Sequence, residues 1–323
     1  MREIKYIEAV NEALREEMEY DKNVFILGED VGSLGGGFGA TKGLLEKFGP
    51  QRVRQTPISE SGFVGLGVGA AMTGLRPVVE IMYIDFITTA MDQVVNQAAK
   101  ISFMSGGQVK VPLVIRAPYG IGTREAAQHS QSLEAWFVHT PGLKVVMPST
   151  AYDAKGLLKT SIRDDDPVVF IENRMLYFEK GKVPEGEWLI PLGQAEIKRE
   201  GKDITVVAIS GMVPKVLAVA EELSPEISIE VIDPRTLVPL DADKIVASVK
   251  KTGCLLVLHD APQRGGVGAE IIRQVVENAF DYLKVPPRVL GGLNTPIPFS
   301  LSLEDVCIPQ KEDIAAVIKG MVE

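Results

Sequence analysis

The chain has little with which to bind metal or cross-link itself. Of its 323 residues only two are cysteine and three histidine. Cys254 and Cys307 lack the close spacing of a zinc site or a disulfide framework. They read as buried thiols of a reducing compartment, so the chain is expected to be cytoplasmic. Three scattered histidines are too few for a structural zinc site, although His129 and His259 merit individual weighing. Positive charge is also scarce. A net charge of -9 argues against a protein that tracks nucleic-acid phosphates. No uncharged apolar run approaches the ~20 residues of a membrane helix. The first residues carry Arg2, Glu3 and Lys5 and no apolar core, so no secretory signal is expected there. Solenoid-length repeats and low-complexity tracts are missing too.

What is present suits a globular protein long enough for two domains, with 46% hydrophobic and 24% charged residues. Strand-like apolar runs alternate with helix-like periodic segments. Residues 7–20 place Val10, Ala13, Leu14 and Met18 on one helical face. Val24–Leu27, Val53–Thr56, Pro77–Tyr83, Val111–Ala117, Lys144–Met147 and Val168–Glu172 read as strands. Thr41–Phe48, Ser61–Leu75, Thr88–Met104 and a segment capped by Ser149 or Thr150 read as helices. Residues 174–190 break this rhythm with Gly181, Pro184 and Gly186, and read as a linker. The pattern then restarts, with strands at Ile204–Ile209, Ile229–Ile232 and Leu255–Leu258. The expected fold is α/β with two doubly wound domains, residues 1–173 and 191–323, each a parallel sheet covered by helices.

Four features carry candidate chemistry. Glu60 precedes the most apolar helix-like stretch, and no other charge occurs from Ser61 to Leu75. A carboxyl in such surroundings needs a raised pKa or a specific partner, and suits proton sharing. An acidic residue in a first helical turn, capped by Ser59, is the plainer reading of the same position. His129 follows a glycine-bearing loop after a strand end, where open α/β sheets place ligands; capping of the next helix is its alternative. Phe86 lies just past another strand end and could stack on a flat ring, or be core. Asp164–Asp166 suggests a metal site, but a solvated loop explains it more cheaply. Gly65-Leu66-Gly67-Val68-Gly69-Ala70 imitates a dinucleotide fingerprint, yet Pro57–Glu60 separates it from the preceding strand. These glycines read as helix-internal points of close approach. The stretch Gly35–Lys42 lacks the Gly-Lys-Ser/Thr ending of a phosphate-binding loop and reads as a mobile loop. His259-Asp260 suits either a second-domain site or a subunit contact.

Leu27-Gly28-Glu29-Asp30-Val31-Gly32, Thr56-Pro57-Ile58-Ser59-Glu60, Asp92-Gln93-Val94-Val95-Asn96-Gln97 and Gln128-His129-Ser130-Gln131 occur in that order. They are joined by Asp233-Pro234-Arg235-Thr236-Leu237 and Gly266-Val267-Gly268-Ala269-Glu270. Together, nearly end to end, they resemble the beta subunit of the thiamine-diphosphate-dependent component of 2-oxo acid dehydrogenase complexes. The resemblance implies a pyrimidine-binding domain followed by a transketolase C-terminal-like domain. It implies that Glu60 activates the cofactor by sharing a proton with its pyrimidine ring, and that His129 moves protons later in the reaction. Phe86, Ile58 and Met82 would lie against the cofactor. A structural potassium ion would sit among main-chain carbonyls of Leu113, Ser161, Ile162, Asp164 and Asp166. The family's diphosphate and magnesium motif begins Gly-Asp-Gly, which this chain lacks. That half of the site is therefore expected from an alpha subunit, in an α2β2 heterotetramer docked on a lipoyl-bearing acyltransferase core. The expected reaction is oxidative decarboxylation of pyruvate or a branched-chain 2-oxo acid with acyl transfer to lipoamide. Acetoin cleavage, the C-terminal half of a split transketolase, a nicotinamide-dependent dehydrogenase and a non-catalytic scaffold are the alternatives.

Overall fold

Strand β1 (Arg2–Lys5) leads directly into the helix Tyr6–Tyr20, whose buried side chains include Tyr6, Val10, Ala13, Leu14 and Met18. This is the face expected from the sequence. It belongs to a core with Ala154, Leu157 and Leu158 of the helix Ala151–Arg163. Each fully buried Leu, Val or Met side chain contributes about 1.5–3 kcal/mol. Thr150 caps that second helix by accepting from Asp153 N–H at 3.1 Å. The computed structural model describes residues 1–322 and comprises two compact units. The first contains residues 1–119 and 136–192; the second contains residues 120–135 and the chain from residue 193.

In the first unit, β2 (Val24–Gly28), β3 (Val53–Gln55), β4 (Arg76–Glu80), β5 (Val114–Tyr119), β6 (Lys144–Val146) and β7 (Val168–Asn173) lie in the order β6-β7-β5-β4-β2-β3. All of these pairings are parallel. The strands read as continuous apolar runs because both faces are covered. Residues 174–190, the expected link, include β8 (Lys180–Val183), which pairs antiparallel with β1.

The apolar helix spans Glu60–Met72, and its glycines sit where the chain packs closely. A Cβ on Gly67 would lie 2.7 Å from a Val79 methyl, and one on Gly65 would lie 3.0 Å from Gln93. These glycines are well inside the helix, so the dinucleotide reading fails on geometry. The long helix expected over Thr88–Met104 is not regular. It divides into a 3-10 stretch (Ile84–Ala90), a wide π stretch (Asp92–Ala98) and a short α-helix (Ala99–Met104). Over the wide stretch the Asp92 carboxylate accepts the side-chain amides of Gln93, Asn96 and Gln97.

In the second unit, β9 (Glu196–Arg199), β10 (Ile204–Ala208), β11 (Ile229–Asp233), β13 (Leu255–Pro262) and β14 (Arg288–Gly292) form a sheet ordered β14-β13-β10-β11-β9; the short strand β12 is Thr236–Val238. Only the edge strand β9 runs antiparallel. Helices Met212–Glu222 and Lys311–Val322 cover one apolar face through Met212, Val213, Val216, Ile314 and Ile318. Among the described residues no helix is long and apolar enough to cross a membrane.

Candidate active site

Glu60 is the first residue of its helix, where an acidic side chain meets unpaired amide groups. Ser59 makes no side-chain cap, so the capping part of the plain reading does not hold. Glu60 instead has specific partners. Thr89 Oγ1 donates to Glu60 Oε2 at 3.2 Å. The second partner is Glu29, at the end of β2. Burial and then the charge of Glu60 push the Glu29 carboxyl up to about 6, with smaller contributions from Asp30 and a side-chain hydrogen bond to Glu60. Two carboxyls this close disfavour each other's ionised form, so the raised Glu29 carboxyl can take up a proton at mildly acidic pH. The backbone explains the meeting: β2 and β3 run parallel in register, and Thr56 N–H donates to Gly28 carbonyl at 2.9 Å.

Glu29 Oε1 and Thr56 Oγ1 are buried without a hydrogen-bond partner. Buried polar atoms of this kind are expected where a ligand supplies the missing contact. Thr89 Oγ1 also reaches the Phe86 carbonyl at 2.9 Å. Its ring meets Tyr83 edge-on at 5.9 Å, and Tyr83 meets Phe38 at 5.5 Å. Met82 packs toward Gly37, where a Cβ would come within 2.9 Å of its Cγ. Ile58 is 83% exposed, on the segment just before Glu60.

Beneath this surface lies a charge network that the sequence reading missed. Arg116 on β5 is 1% exposed and grips Glu172 on β7 with two hydrogen bonds, at 2.7 and 2.8 Å. It donates a third to Glu80 on β4 at 2.6 Å, and Tyr177 OH donates to Glu172 at 2.9 Å. Burial raises Glu80 despite the guanidinium. A Cβ at Gly36 would strike the Glu80 carboxylate, and Gly36 has φ +82°. The glycine-rich loop is thus seated on the network, and glycine is required at Gly36 for both space and conformation. Three charges within otherwise apolar strand runs were the available signal.

His129 lies in the second unit and is half-buried, on the loop that follows β5. Arg124 and Ala126 in this loop both have φ +60°, a region costly for residues with a Cβ, and His129 N–H donates to the Ala126 carbonyl at 3.3 Å. Five residues on, Glu134 is fully buried and neither side-chain oxygen has a hydrogen-bond partner. Burial, then the nearby charge of Asp260, push its carboxyl up to about 8. Ser130 and Asp260 also line a cavity of about 390 Å³ within this unit. His259 is a core residue. It is fully buried, burial lowers it to about 4, and its Nδ1 lies 3.1 Å from the Ala261 carbonyl. Gly266, Gly268 and Gly291 make room for its ring.

The Asp run is an ion-pair cluster. Lys144 bonds Asp164 at 2.7 Å and lies 3.1 Å from Asp166, while Arg76 bonds Asp165 at 2.7 Å. The carbonyls of Ile162 and Asp164 accept from Arg76 at 3.1 and 2.8 Å. Those of Leu113 and Ser161 accept backbone N–H groups of Val168 and Asp164. No cluster of three or more His, Cys, Asp or Glu side chains suited to a metal occurs among the described residues.

Family models of the transketolase pyrimidine binding domain and the transketolase C-terminal domain match residues 2–180 and 193–314. Over 98% of the chain, 49% of residues are identical to the pyruvate dehydrogenase E1 component subunit beta-1, mitochondrial, of Oryza sativa subsp. japonica, covering 86% of that protein. The chain belongs to this family of E1 beta subunits. The family extends to the beta subunit of the acetoin:2,6-dichlorophenolindophenol oxidoreductase of Bacillus subtilis (strain 168), 46% identical over 98% of this chain and 96% of that one. A solved split gene transketolase, titled an inactive beta4 tetramer, shares the fold with a TM-score of 0.80 at 22% identity. That likeness covers 99% of this chain and 98% of the other. E1 beta chains of this family belong to thiamine-diphosphate-dependent oxidoreductases, and the orphaned oxygens of Glu29 and Thr56 beside Glu60 are compatible with such a cofactor.

Proposed function

We propose that the chain is the beta subunit of an α2β2 pyruvate-type 2-oxo acid dehydrogenase that passes an acyl group to lipoamide on an acyltransferase core. The raised Glu29 carboxyl beside Glu60, with the buried unpartnered oxygens of Glu29 and Thr56, carries this reading. Bound thiamine diphosphate supplies the electron sink for decarboxylation. Glu60 would share a proton with the pyrimidine ring, and the raised Glu29 carboxyl would accept or return it. A carboxyl at about 6 is poised for transfer in either direction near neutral pH. Thr89 fixes the Glu60 rotamer. Phe86, Met82 and Ile58 provide apolar cover for the cofactor, and His129 moves protons during attack or acyl transfer.

The chain lacks Gly-Asp-Gly, which supports a site whose diphosphate and magnesium are held by an alpha subunit. Exposed Ile58, Leu66, Phe103 and Met104 supply apolar surface of the kind a partner covers. A structural potassium would be held by the main-chain carbonyls of Leu113, Ser161, Ile162, Asp164 and Asp166, beside the cations Arg76 and Lys144. A second reading, acetoin as substrate, is favoured by the 46% identity to the Bacillus acetoin subunit.

Co-expression with an alpha subunit and dye reduction with pyruvate, 3-methyl-2-oxobutanoate and acetoin in parallel test the reading. Glu60→Gln is expected to cut turnover by about 10²-fold or more while the tetramer still assembles. Near-normal turnover in that variant would sink the proposal.

A further inference from the structure

We infer that Glu304 is a positioning residue for His129; the inference rests on the catalytic role proposed for that histidine. Glu304 is fully buried in the second unit, on the short helix Leu301–Asp305. Its Oε1 accepts the backbone N–H groups of Gly122 and Arg124, at 3.1 and 3.2 Å. Both belong to the loop that carries His129, and Arg124 is 180 residues from Glu304 in sequence. The bonds fall at the strained part of that loop. Gly122 has φ +116°, and Arg124 and Ala126 both have φ +60°. Left-handed conformations at two residues with a Cβ persist only when the surroundings impose them. One carboxylate oxygen shared by two N–H groups two residues apart imposes such a turn.

The anchor itself is fixed. Glu304 N–H donates to Ser300 carbonyl at 2.8 Å, Cys307 N–H to Glu304 carbonyl at 3.0 Å, and Leu293 N–H to Cys307 carbonyl at 2.8 Å. Those bonds tie the short helix to the end of β14. Glu304 Oε2 is buried and makes no hydrogen bond. The carboxylate therefore serves the loop through a single oxygen, and a carboxamide oxygen could replace it. Its charge is secondary to its reach.

The test uses the assembled α2β2 complex with Glu304→Gln and Glu304→Asp. The glutamine keeps an acceptor at the same distance and loses the charge; the aspartate keeps the charge and withdraws the acceptor by one methylene. The expected order is wild type and Gln similar, within about threefold in kcat, with Asp lower by about tenfold or more, since a displacement near 1 Å can cost that much. Hydrogen exchange over residues 120–132 should quicken in Asp and not in Gln. Asp outperforming Gln, or equal exchange in both variants, overturns the inference. His129→Ala separates the two layers. Retained turnover there refutes the role of His129, while the exchange comparison still reports whether Glu304 holds the loop.

Discussion

Glu134→Gln should stabilise this protein, by an amount that depends on pH. The folded chain holds the Glu134 carboxyl at about 8 against an ordinary 4.5. The unfolded chain therefore releases this proton first as pH rises, and stability falls between those two values. Below 4.5 both states are protonated and no penalty exists; above 8 both are ionised and the penalty is complete. At pH 7 the difference spans roughly 2.5 pH units at about 1.4 kcal/mol each, or about 3 kcal/mol. Glutamine has nearly the same shape and cannot ionise, so the variant escapes that slope. With a domain of this size shifting about 2–4 °C per kcal/mol, the gain is about 6–12 °C in Tm at pH 7. The assay is thermal unfolding of the full chain and its variant at matched points from pH 5 to 8. The gap between the two curves should open steadily with pH. Parallel curves would show that Glu134 does not carry this proton, and the argument from its burial and Asp260 would fail.

Arg116→Leu should act in the opposite direction, because it strands Glu80 and Glu172 as buried carboxylates. A loss of about 3–5 kcal/mol is expected in the urea midpoint analysis, and a loss under 1 kcal/mol would mean that water already reaches the network. Replacing potassium chloride by choline chloride should lower Tm if the carbonyls of Leu113, Ser161, Ile162, Asp164 and Asp166 hold the ion. An unchanged Tm would leave Arg76 and Lys144 as the only cations of that corner.

The strands and the parallel sheets were legible because continuous apolar runs of five or six residues have few other ways to be buried. The irregular stretch over Ile84–Met104 was not, since its apolar spacing suits a regular helix and only side-chain competition at Asp92 and close packing at Gly65 depart from it. Glu60 could be singled out from its lack of charged neighbours in sequence. Its carboxyl partner could not: Glu29 is 31 residues earlier and meets Glu60 only once β2 and β3 are paired. Glu304 was silent for the same reason, since two backbone N–H groups leave no trace in side-chain chemistry. His259 shows the converse. His259-Asp260 before a run of glycines suggested a second-domain site or a subunit contact, and Gly266 and Gly268 proved to give its ring the space it requires.

The second unit is assembled from two separated stretches, residues 120–135 and the chain from residue 193. The polypeptide must therefore cross from one body to the other at three places. A gene fragment beginning at residue 193 would encode a sheet without the loop that bears His129, and one ending at residue 192 would carry that loop without its Glu304 anchor. Neither half can be exchanged between relatives as a self-sufficient cassette, so recombination within this gene is expected to be tolerated least where the two halves appear, on the linear map, most separable.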